Sequence, residues 1–575
     1  MNLTTRIKNI FLGLGHSVQR FPLTALLSFI LMSLLITINE LGIRGNYNTE
    51  LYQRLAMVTA LGMLLSISLQ HLMETYFPEK TPFLQLVPLG IFMILYYFFF
   101  TKDLNNVQGI QFVGLLLTLI IAIFYSLRLR YKREYEAYVA SVFNGLLLTV
   151  VYSGVLYVGI AAIIFTINAL FDANIEGKWF YYFFLMATFV FGALMFLSKL
   201  PRKDHTFHDQ PYAKSLKVLL LYIVIPLITI YTGILYVYFA KILLTQVWPR
   251  GLVSNLVLWY SVVSVGVIFF ITPILSENPV AKIFRTWFPR ILLPILAMMF
   301  VSIGLRIKQY GFTENRYFVV LLGIWTTMIM LYFILKKELS NIFIPITLSI
   351  FMVISVFGPL SAFQVSFYSQ NQRFEQILNT YNMLQEGQIT PNSAITKEDQ
   401  ENLTSIVQYF ENRNLEKLRY IPVNFTYASF EDTFGFQRTY DYYRPNDQYF
   451  YLNSEWENQG MLVRDYEYAF TVSTYQPPTV LEGFSASLSE DLTLTLKKEN
   501  QILFDESLQD QLVLLVETHG FQDQKDFFSA QDNTFILENE QVALKVYIRL
   551  LSGRKPEQST MIFDQGTLTI LVHEK

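Results

Sequence analysis

The chain contains 575 residues, of which 53% are hydrophobic, 16% are aromatic and only 15% are charged, and its formal net charge is -2. Soluble globular domains carry about 25% charged residues, so this composition excludes an ordinary soluble enzyme and an intrinsically disordered chain. The chain has no cysteine, which excludes disulfide bonds, thiolate nucleophiles and cysteine-ligated metal centres.

Long apolar stretches predict the architecture of residues 1–363. A helix rises about 1.5 Å per residue, so crossing a hydrocarbon core of about 30 Å takes roughly 20 apolar residues. Eleven stretches meet this requirement. They lie near residues 22–41, 54–73, 83–100, 109–127, 138–171, 178–198, 216–244, 251–275, 290–307, 316–335 and 340–363. The sequence therefore predicts an α-helical polytopic membrane bundle of about eleven transmembrane helices.

The distribution of charge predicts how the bundle is oriented. Cytoplasmic loops are enriched in Lys and Arg. With the N-terminus in the cytoplasm, the cytoplasmic connections hold 18 of these residues and the opposite connections hold 8. Residues 1–363 contain 27 Lys and Arg against 14 Asp and Glu, whereas residues 364–575 contain 16 against 31. An odd number of spans then places this acidic C-terminal segment on the extracytoplasmic side.

The hydrophobic pattern changes after Phe363. Residues 366–386 and 397–412 are predicted to form amphipathic helices, with Thr396 as the N-cap of the second. We therefore predict a helical stalk over residues 364–420.

Beyond Ile421 the apolar residues recur with a period of two. Between residues 542 and 550 valine, leucine and isoleucine alternate with other residues, as expected of a half-buried strand. We predict an extracytoplasmic α+β, β-rich domain over residues 421–575.

The connection between the ninth and tenth spans, residues 306–317, has the sequence RIKQYGFTENRY. It places Arg306, Lys308 and Arg316 on the predicted extracytoplasmic face, where the other connections contain few Lys and Arg. One interpretation is a tight helical hairpin, with Gly311 in the turn and Thr313 as the cap of the next helix. The other is an anion site for a phosphate-bearing lipid or substrate, because arginine presents a fork that fits phosphate oxygens.

Seven residues form the candidate ligand-binding set at this outer face. They are Glu40, Arg306, Lys308, Tyr310, Thr313, Arg316 and Tyr317. Glu40 ends the first span on the same predicted face, where a pair with Arg306 and Arg316 would order the outer mouth or neutralise charge.

The same connection resembles a bacterial multipass membrane family, the domain of unknown function 4153. In that family a stretch Arg-Ile-x-x-Tyr-Gly-x-Thr-x-x-Arg-Tyr joins two late membrane helices. The matching residues here are Arg306, Ile307, Tyr310, Gly311, Thr313, Arg316 and Tyr317. The resemblance implies a bacterial membrane protein and brings no established activity, so we expect the cytoplasmic (inner) membrane as its location.

Two further clusters are candidates for chemistry. Asp204, His205, His208 and Asp209 lie in one cytoplasmic loop and could hold a divalent metal, although a solvated polar loop explains them as well. His71 lies near Gln70 and Glu74 at the inner end of the second span, which suits an interfacial polar cap or an embedded acyltransferase histidine.

Three classes of function remain open. The first is a non-enzymatic envelope protein that anchors an external domain for binding or sensing, since the sequence has no P-loop, zinc-protease or α/β-hydrolase motif. The second is a transporter or lipid flippase that uses the basic outer connection. The third is a membrane glycosyltransferase acting on lipid-linked sugar. We expect no cofactor and no nucleic-acid partner; the predicted partners are the lipid bilayer and an anionic lipid or envelope component.

Overall fold

The architecture was analysed in a computed structural model, which comprises two compact units, Met1–Thr439 and Tyr440–Lys575. The residues that the structure describes are 15–43, 49–77, 82–101, 106–130, 134–171, 173, 175–207, 212, 214–245, 252–336, 339–426, 429–438, 447–453, 463–474, 476–489, 491–499, 501–517, 534–556 and 561–575.

In the part of the chain that the structure describes, eleven apolar helices precede the stalk. They are α1 (Pro22–Ile43), α2 (Glu50–Tyr76), α3 (Leu86–Phe100), α4 (Asn106–Ser126), α5 (Tyr135–Phe171), α6 (Lys178–Lys199), α7 (Leu216–Thr245), α8 (Leu252–Ile271), α9 (Pro279–Tyr310), α10 (Glu314–Leu335) and α11 (Phe343–Val356). Among the described residues, nine of these helices are long and apolar enough to cross a membrane, and α3 and α11 are shorter. The predicted polytopic bundle is confirmed, with the count of about eleven spans as an approximation.

Helix α9 is longer than the ninth predicted span. It begins at Pro279, where the side chain of Asn278 accepts a hydrogen bond from the Ala281 amide, and it continues through Pro294 without a break. Its 32 residues correspond to about 48 Å of helix, well beyond the hydrocarbon thickness. The added length lies mainly at the N-terminal end of α9, between Pro279 and the start of the predicted span at residue 290, and residues 306–310 form its last turns beside the stalk.

The stalk consists of helices that share one apolar core. Helix α12 (Ala362–Thr380) begins at Ser361, whose hydroxyl accepts from the Gln364 amide, and α13 (Lys397–Glu411) begins at the predicted cap Thr396. A short helix α14 (Phe430–Phe434) adds two buried phenylalanines to the core. The stalk core includes Phe374, Leu378, Leu403, Val407, Phe410, Phe430 and Phe434.

The first stalk helix is shorter than its predicted extent of 366–386. It ends at Thr380, and a hairpin of strands β1 (Leu384–Gln385) and β2 (Gln388–Ile389) follows. Glu386 and Gly387 both have positive φ in the turn of this hairpin, a conformation that cannot continue a right-handed helix.

The second unit is built from antiparallel strands, which confirms the β-rich prediction. Its strands are β3 (Asp447–Asn453), β4 (Tyr468–Ser473), β5 (Thr479–Leu481), β6 (Phe484–Leu488), β7 (Thr493–Lys498), β8 (Gln501–Ser507), β9 (Thr534–Glu538), β10 (Val542–Pro556) and β11 (Ile562–Glu574). One sheet has the order β3-β10-β11-β4 with β9 also paired to β10, and the other has the order β5-β6-β7-β8. A helix α15 (Gln509–Leu515) packs into the same core through Leu512.

Strand β10 follows the predicted alternation until a bulge interrupts it. Val542, Leu544 and Val546 are fully buried, as the period of two predicts. The pairing register with β11 shifts between Ile548 and Leu550, so that Leu551 takes the buried position instead of Leu550.

Candidate functional site

The turn between α9 and α10 depends on a glycine. Gly311 has φ of +70° and donates its amide to the Ile307 carbonyl at 2.8 Å, which closes α9. A Cβ atom at this position would lie 2.8 Å from Cδ of Arg373 in the stalk. The turn therefore needs glycine for its backbone conformation and for the close approach of α12.

Three side chains of α12 bind the backbone of this turn. Arg373 Nη1 and Gln370 Nε2 donate to the Tyr310 carbonyl at 2.8 and 3.0 Å. Gln370 also donates to the Phe312 carbonyl at 2.7 Å, and the Phe312 amide donates to Ser369 Oγ at 2.9 Å. Stalk side chains thus satisfy the carbonyls of Tyr310 and Phe312 and the amide of Phe312.

Arg316 of α10 binds the same turn from within the hairpin. Its Nη1 donates to the carbonyls of Tyr310 and Gly311 at 3.2 and 2.9 Å, and its guanidinium lies over the Tyr310 ring. We name these bonds from Arg316, Ser369, Gln370 and Arg373 to the turn the box clamp. This arrangement gives Arg316 the hairpin role that the first interpretation assigned to the connection as a whole.

A buried carboxylate joins the start of α10 to the second stalk helix. Glu314, in the first turn of α10, is 3% exposed, and its Oε1 accepts from Tyr409 Oη at 2.8 Å and from Arg413 Nε at 2.7 Å. Burial raises the pKa of the Tyr409 phenol, and the charge of Glu314 raises it further, so the hydroxyl stays protonated and donates. The Arg413 guanidinium also lies 4.2 Å from the centroid of the Tyr409 ring.

The other sequence-predicted residues of this face have separate surroundings. Tyr317 donates its hydroxyl to the Leu360 carbonyl after α11, and Thr313 has the extended backbone of an N-cap without a capping bond from its side chain in the described part of the chain. Arg306 is close enough to Arg316 to repel its charge. Lys308 is exposed at the end of α9. Within the described ranges neither Arg306 nor Lys308 has an acidic partner.

Glu40 lies at the end of α1 beside α6. Its Oε1 accepts from Tyr182 Oη at 2.6 Å and is 3.5 Å from Lys178 Nζ. The structure thus gives Glu40 partners on α6, while Arg316 binds the carbonyls of its own hairpin.

The metal-site hypothesis falls partly outside the described residues. His208 and Asp209 are among the residues left undescribed, whereas Asp204 and His205 lie in the loop after α6. The ring of His205 packs edge-on against Phe207, at 4.6 Å between centroids. No group of three potential metal ligands occurs within the described ranges, so the site stays a prediction.

A second polar cluster surrounds His71. Arg20 forms a two-pronged ion pair with Glu74, at 2.8 Å for each N–O pair, and donates to the Leu200 carbonyl at 2.7 Å. His71 is fully buried, and its Nδ1 lies 2.8 Å from Ser126 Oγ. These contacts join the segment before α1, helices α2 and α4, and the loop after α6. The arrangement favours the polar-cap interpretation, because an acyltransferase histidine needs access to its substrate.

Sequence analysis missed the stalk half of the box clamp. Ser369, Gln370 and Arg373 fall within one turn of a helix that the sequence did predict, and Tyr409 and Arg413 are spaced i, i+4 at the end of the next. The spacing of these residues indicates that each helix has one polar face. The partner of each polar face is determined by tertiary contacts, which cannot be predicted from the local sequence.

Comparisons with known proteins give one family and one distant relative. The sequence matches the family model described as domain of unknown function DUF4153 over residues 26–387, a range that contains the box clamp. An uncharacterised protein of Pasteurella multocida (strain Pm70) is 25% identical over 248 residues, which is 42% of this chain and 42% of that protein. The chain therefore matches less than half of that relative's length. No solved structure gives a significant match.

Proposed function

The chain belongs to the DUF4153 family, and we propose that it is a non-enzymatic binding or sensing protein of the bacterial cell envelope. In this proposal the bundle anchors the protein in the cytoplasmic membrane with its N-terminus in the cytoplasm. The stalk and the β-rich unit are extracytoplasmic and supply the binding surface.

The observation that carries this proposal is the box clamp. Hydrogen bonds to charged groups contribute about 1.5–3 kcal/mol each, and the clamp combines guanidinium and amide donors on the three carbonyls of one turn. The buried Glu314 adds bonds to Tyr409 and Arg413. Such a joint holds the stalk in a fixed position on the bundle, which an anchoring or sensing protein needs and a loosely tethered domain lacks.

The charge division supports the assigned sides. The bundle carries its excess of Lys and Arg in the connections assigned to the cytoplasm, where anionic lipid attracts them. The acidic C-terminal segment has 31 Asp and Glu against 16 Lys and Arg, which suits an aqueous compartment better than contact with anionic headgroups.

The test uses photo-crosslinking in intact cells with the full-length protein. A photoreactive residue replaces Ile502 or Ile536, exposed side chains of the β-rich unit, and Thr206 in the loop after α6 serves as the control on the predicted cytoplasmic side. We expect the same discrete envelope adduct from one or both β-rich positions and its absence from Thr206. A full set of β-rich positions that gives no adduct would contradict a binding role.

A lipid flippase or transporter is the second candidate, and one observation favours it. Arg306 and Lys308 lie beside the box clamp without an acidic partner among the described residues, so their charge is available to an anionic substrate. Reconstituted vesicles distinguish the two proposals. Scrambling of a fluorescent anionic lipid that Arg306→Gln abolishes would favour the flippase, and vesicles without scrambling would favour the anchoring role.

A further inference from the structure

A cavity of about 750 Å³ opens where three membrane helices meet the stalk. Its walls come from the end of α3, the start of α4, the turn after α11, helix α12 and the segment after α13. This volume lies within the range of about 300–1,000 Å³ that is typical of ligand sites. The cavity lies on a different side of α12 from the box clamp, since with 3.6 residues per turn Gln364 of the lining points away from Gln370 and Arg373 of the clamp.

With α3, α4 and α11 as the membrane-spanning helices of the predicted bundle, the cavity lies at the boundary of the bilayer. Phe100 is the last residue of α3, Val107 lies in the first turn of α4, and Phe357 directly follows α11. The ends of spanning helices lie at the level of the lipid headgroups, where aromatic side chains are enriched. An occupant of this cavity therefore has access to both the headgroup layer and the hydrocarbon.

The lining has an apolar side and a polar side. Phe100 and Phe357 pack edge to face, with 5.0 Å between ring centroids, on the apolar side. The polar side includes the amide side chains of Gln108 and Gln364, and Lys417 supplies the charge. Among the described residues the lining includes no Asp or Glu, and Lys417 has no carboxylate partner there.

Hydrogen bonds fix the frame of the cavity. Gln111 Nε2 donates to the carbonyl of Val356 at 3.0 Å, which ties α4 to α11. The buried Asn371 donates to the Lys417 carbonyl at 2.9 Å and accepts from the Arg419 amide at 2.8 Å. Both of these bonds hold the backbone around Lys417. The Cα atom from which its side chain extends therefore has a fixed position at the rim of the cavity.

We propose that this cavity binds a membrane lipid with an anionic phosphate headgroup. The phosphate lies beside the Lys417 ammonium, since lysine binds phosphate as a point charge, and it accepts a hydrogen bond from the Gln364 amide. The upper part of a lipid chain lies along Phe100 and Phe357, and the remainder extends into the bilayer. The site is independent of the box clamp and of the function proposed above.

Native mass spectrometry of the full-length protein tests this assignment. The protein is released from nanodiscs that contain phosphatidylglycerol or zwitterionic phosphatidylcholine, and the retained lipid is counted. We expect phosphatidylglycerol to be retained and Lys417→Gln to reduce its retention at least tenfold. Lys397→Gln is the matched control, because Lys397 is exposed in the same stalk and does not line the cavity.

A second variant separates occupancy of the cavity from general charge attraction. Gln364→Trp leaves the net charge unchanged and places a large ring in the cavity, so we expect it to lose phosphatidylglycerol as Lys417→Gln does. Melting in detergent establishes that both variants are folded. Equal retention by Lys417→Gln and Lys397→Gln, or full retention by Gln364→Trp, would overturn the assignment. Displacement of the lipid by inorganic phosphate alone would also overturn it, since it would identify a free anion site.

Discussion

The carboxylate of Glu314 combines two interactions that are separate in most helices. It lies in the first turn of α10, where negative charge suits the helix dipole, and it is buried against Tyr409 and Arg413 of the stalk. A buried charge is costly unless it is paired. The side chain is therefore stabilising only while the stalk is docked on the bundle.

Substitution of this carboxylate is expected to loosen the stalk. Glu314→Gln leaves the partly exposed Arg413 without its carboxylate partner, and the loss of a hydrogen bond between charged groups costs about 1.5–3 kcal/mol. Thermal unfolding in detergent measures the change. Glu416→Gln, at an exposed position of the same stalk, is the control and should stay within about 0.5 kcal/mol. An equal melting temperature for the two variants would refute the role of Glu314.

Two glycines at the end of α9 are expected to respond in opposite directions to alanine. Gly311→Ala forces an L-residue into φ +70° and ψ -179°, a backbone region almost restricted to glycine that costs about 1–3 kcal/mol, and its Cβ meets Arg373. Gly304→Ala has open space around the new Cβ within a helix and should be stabilising by up to about 1 kcal/mol. The rate of limited proteolysis after α11 reports the difference. Faster cleavage of both variants would contradict this account of the turn.

At the level of helices and strands, hydrophobic length and periodicity carried the prediction. The spans, Thr396 as a cap and the buried alternation at the start of β10 follow from patterns of a few to 20 residues. The residues at which helices begin and end were less predictable. Asn278 adds three turns to α9, and the positive φ of Asn382 ends the first stalk helix early. These differences come from caps and turns, whose signals are one or two residues long.

The candidate site likewise has one part that the sequence predicts and one part that it does not. Gly311 and the hairpin could be predicted because turn chemistry is local. The docking of Gln370 and Arg373 could not, because a polar residue on an amphipathic helix fits solvent as well as a partner. The Glu40 pairing with α6 likewise depends on which helices are neighbours, and the order of spans along the chain does not determine that.

The contact between α12 and the turn that joins α9 to α10 can be tested by crosslinking. The chain has no cysteine, so a Phe312→Cys, Ser369→Cys pair introduces the only thiols. The Phe312 amide lies 2.9 Å from Ser369 Oγ, and a short bis-maleimide should join the pair in native membranes. Thr380→Cys replaces Ser369→Cys in the control, because eleven residues of helix add about 16 Å. Crosslinking of the control pair with equal yield would contradict a fixed stalk.

At the scale of the whole molecule, the proposed function depends on which side of the membrane the β-rich unit occupies. Helices that alternate in direction reverse the side of the chain at each crossing, so eleven crossings and nine crossings both leave the two ends on opposite sides. An error of one span would reverse the result. The shorter helices α3 and α11 are therefore the critical elements, since the ends lie on opposite sides when both helices cross or neither does, and on the same side when only one crosses.

Labelling of single cysteines resolves this point in intact cells. Ser507→Cys lies at an exposed position of the β-rich unit, and Thr206→Cys lies at an exposed position of the loop after α6. A membrane-impermeant maleimide should label Ser507→Cys in intact cells and Thr206→Cys only after the membrane is opened. Labelling of both after opening verifies that each thiol is accessible. The reverse pattern would place the acidic unit in the cytoplasm. In that case an odd number of crossings would require an external N-terminus, against the excess of Lys and Arg in the connections now assigned to the cytoplasm.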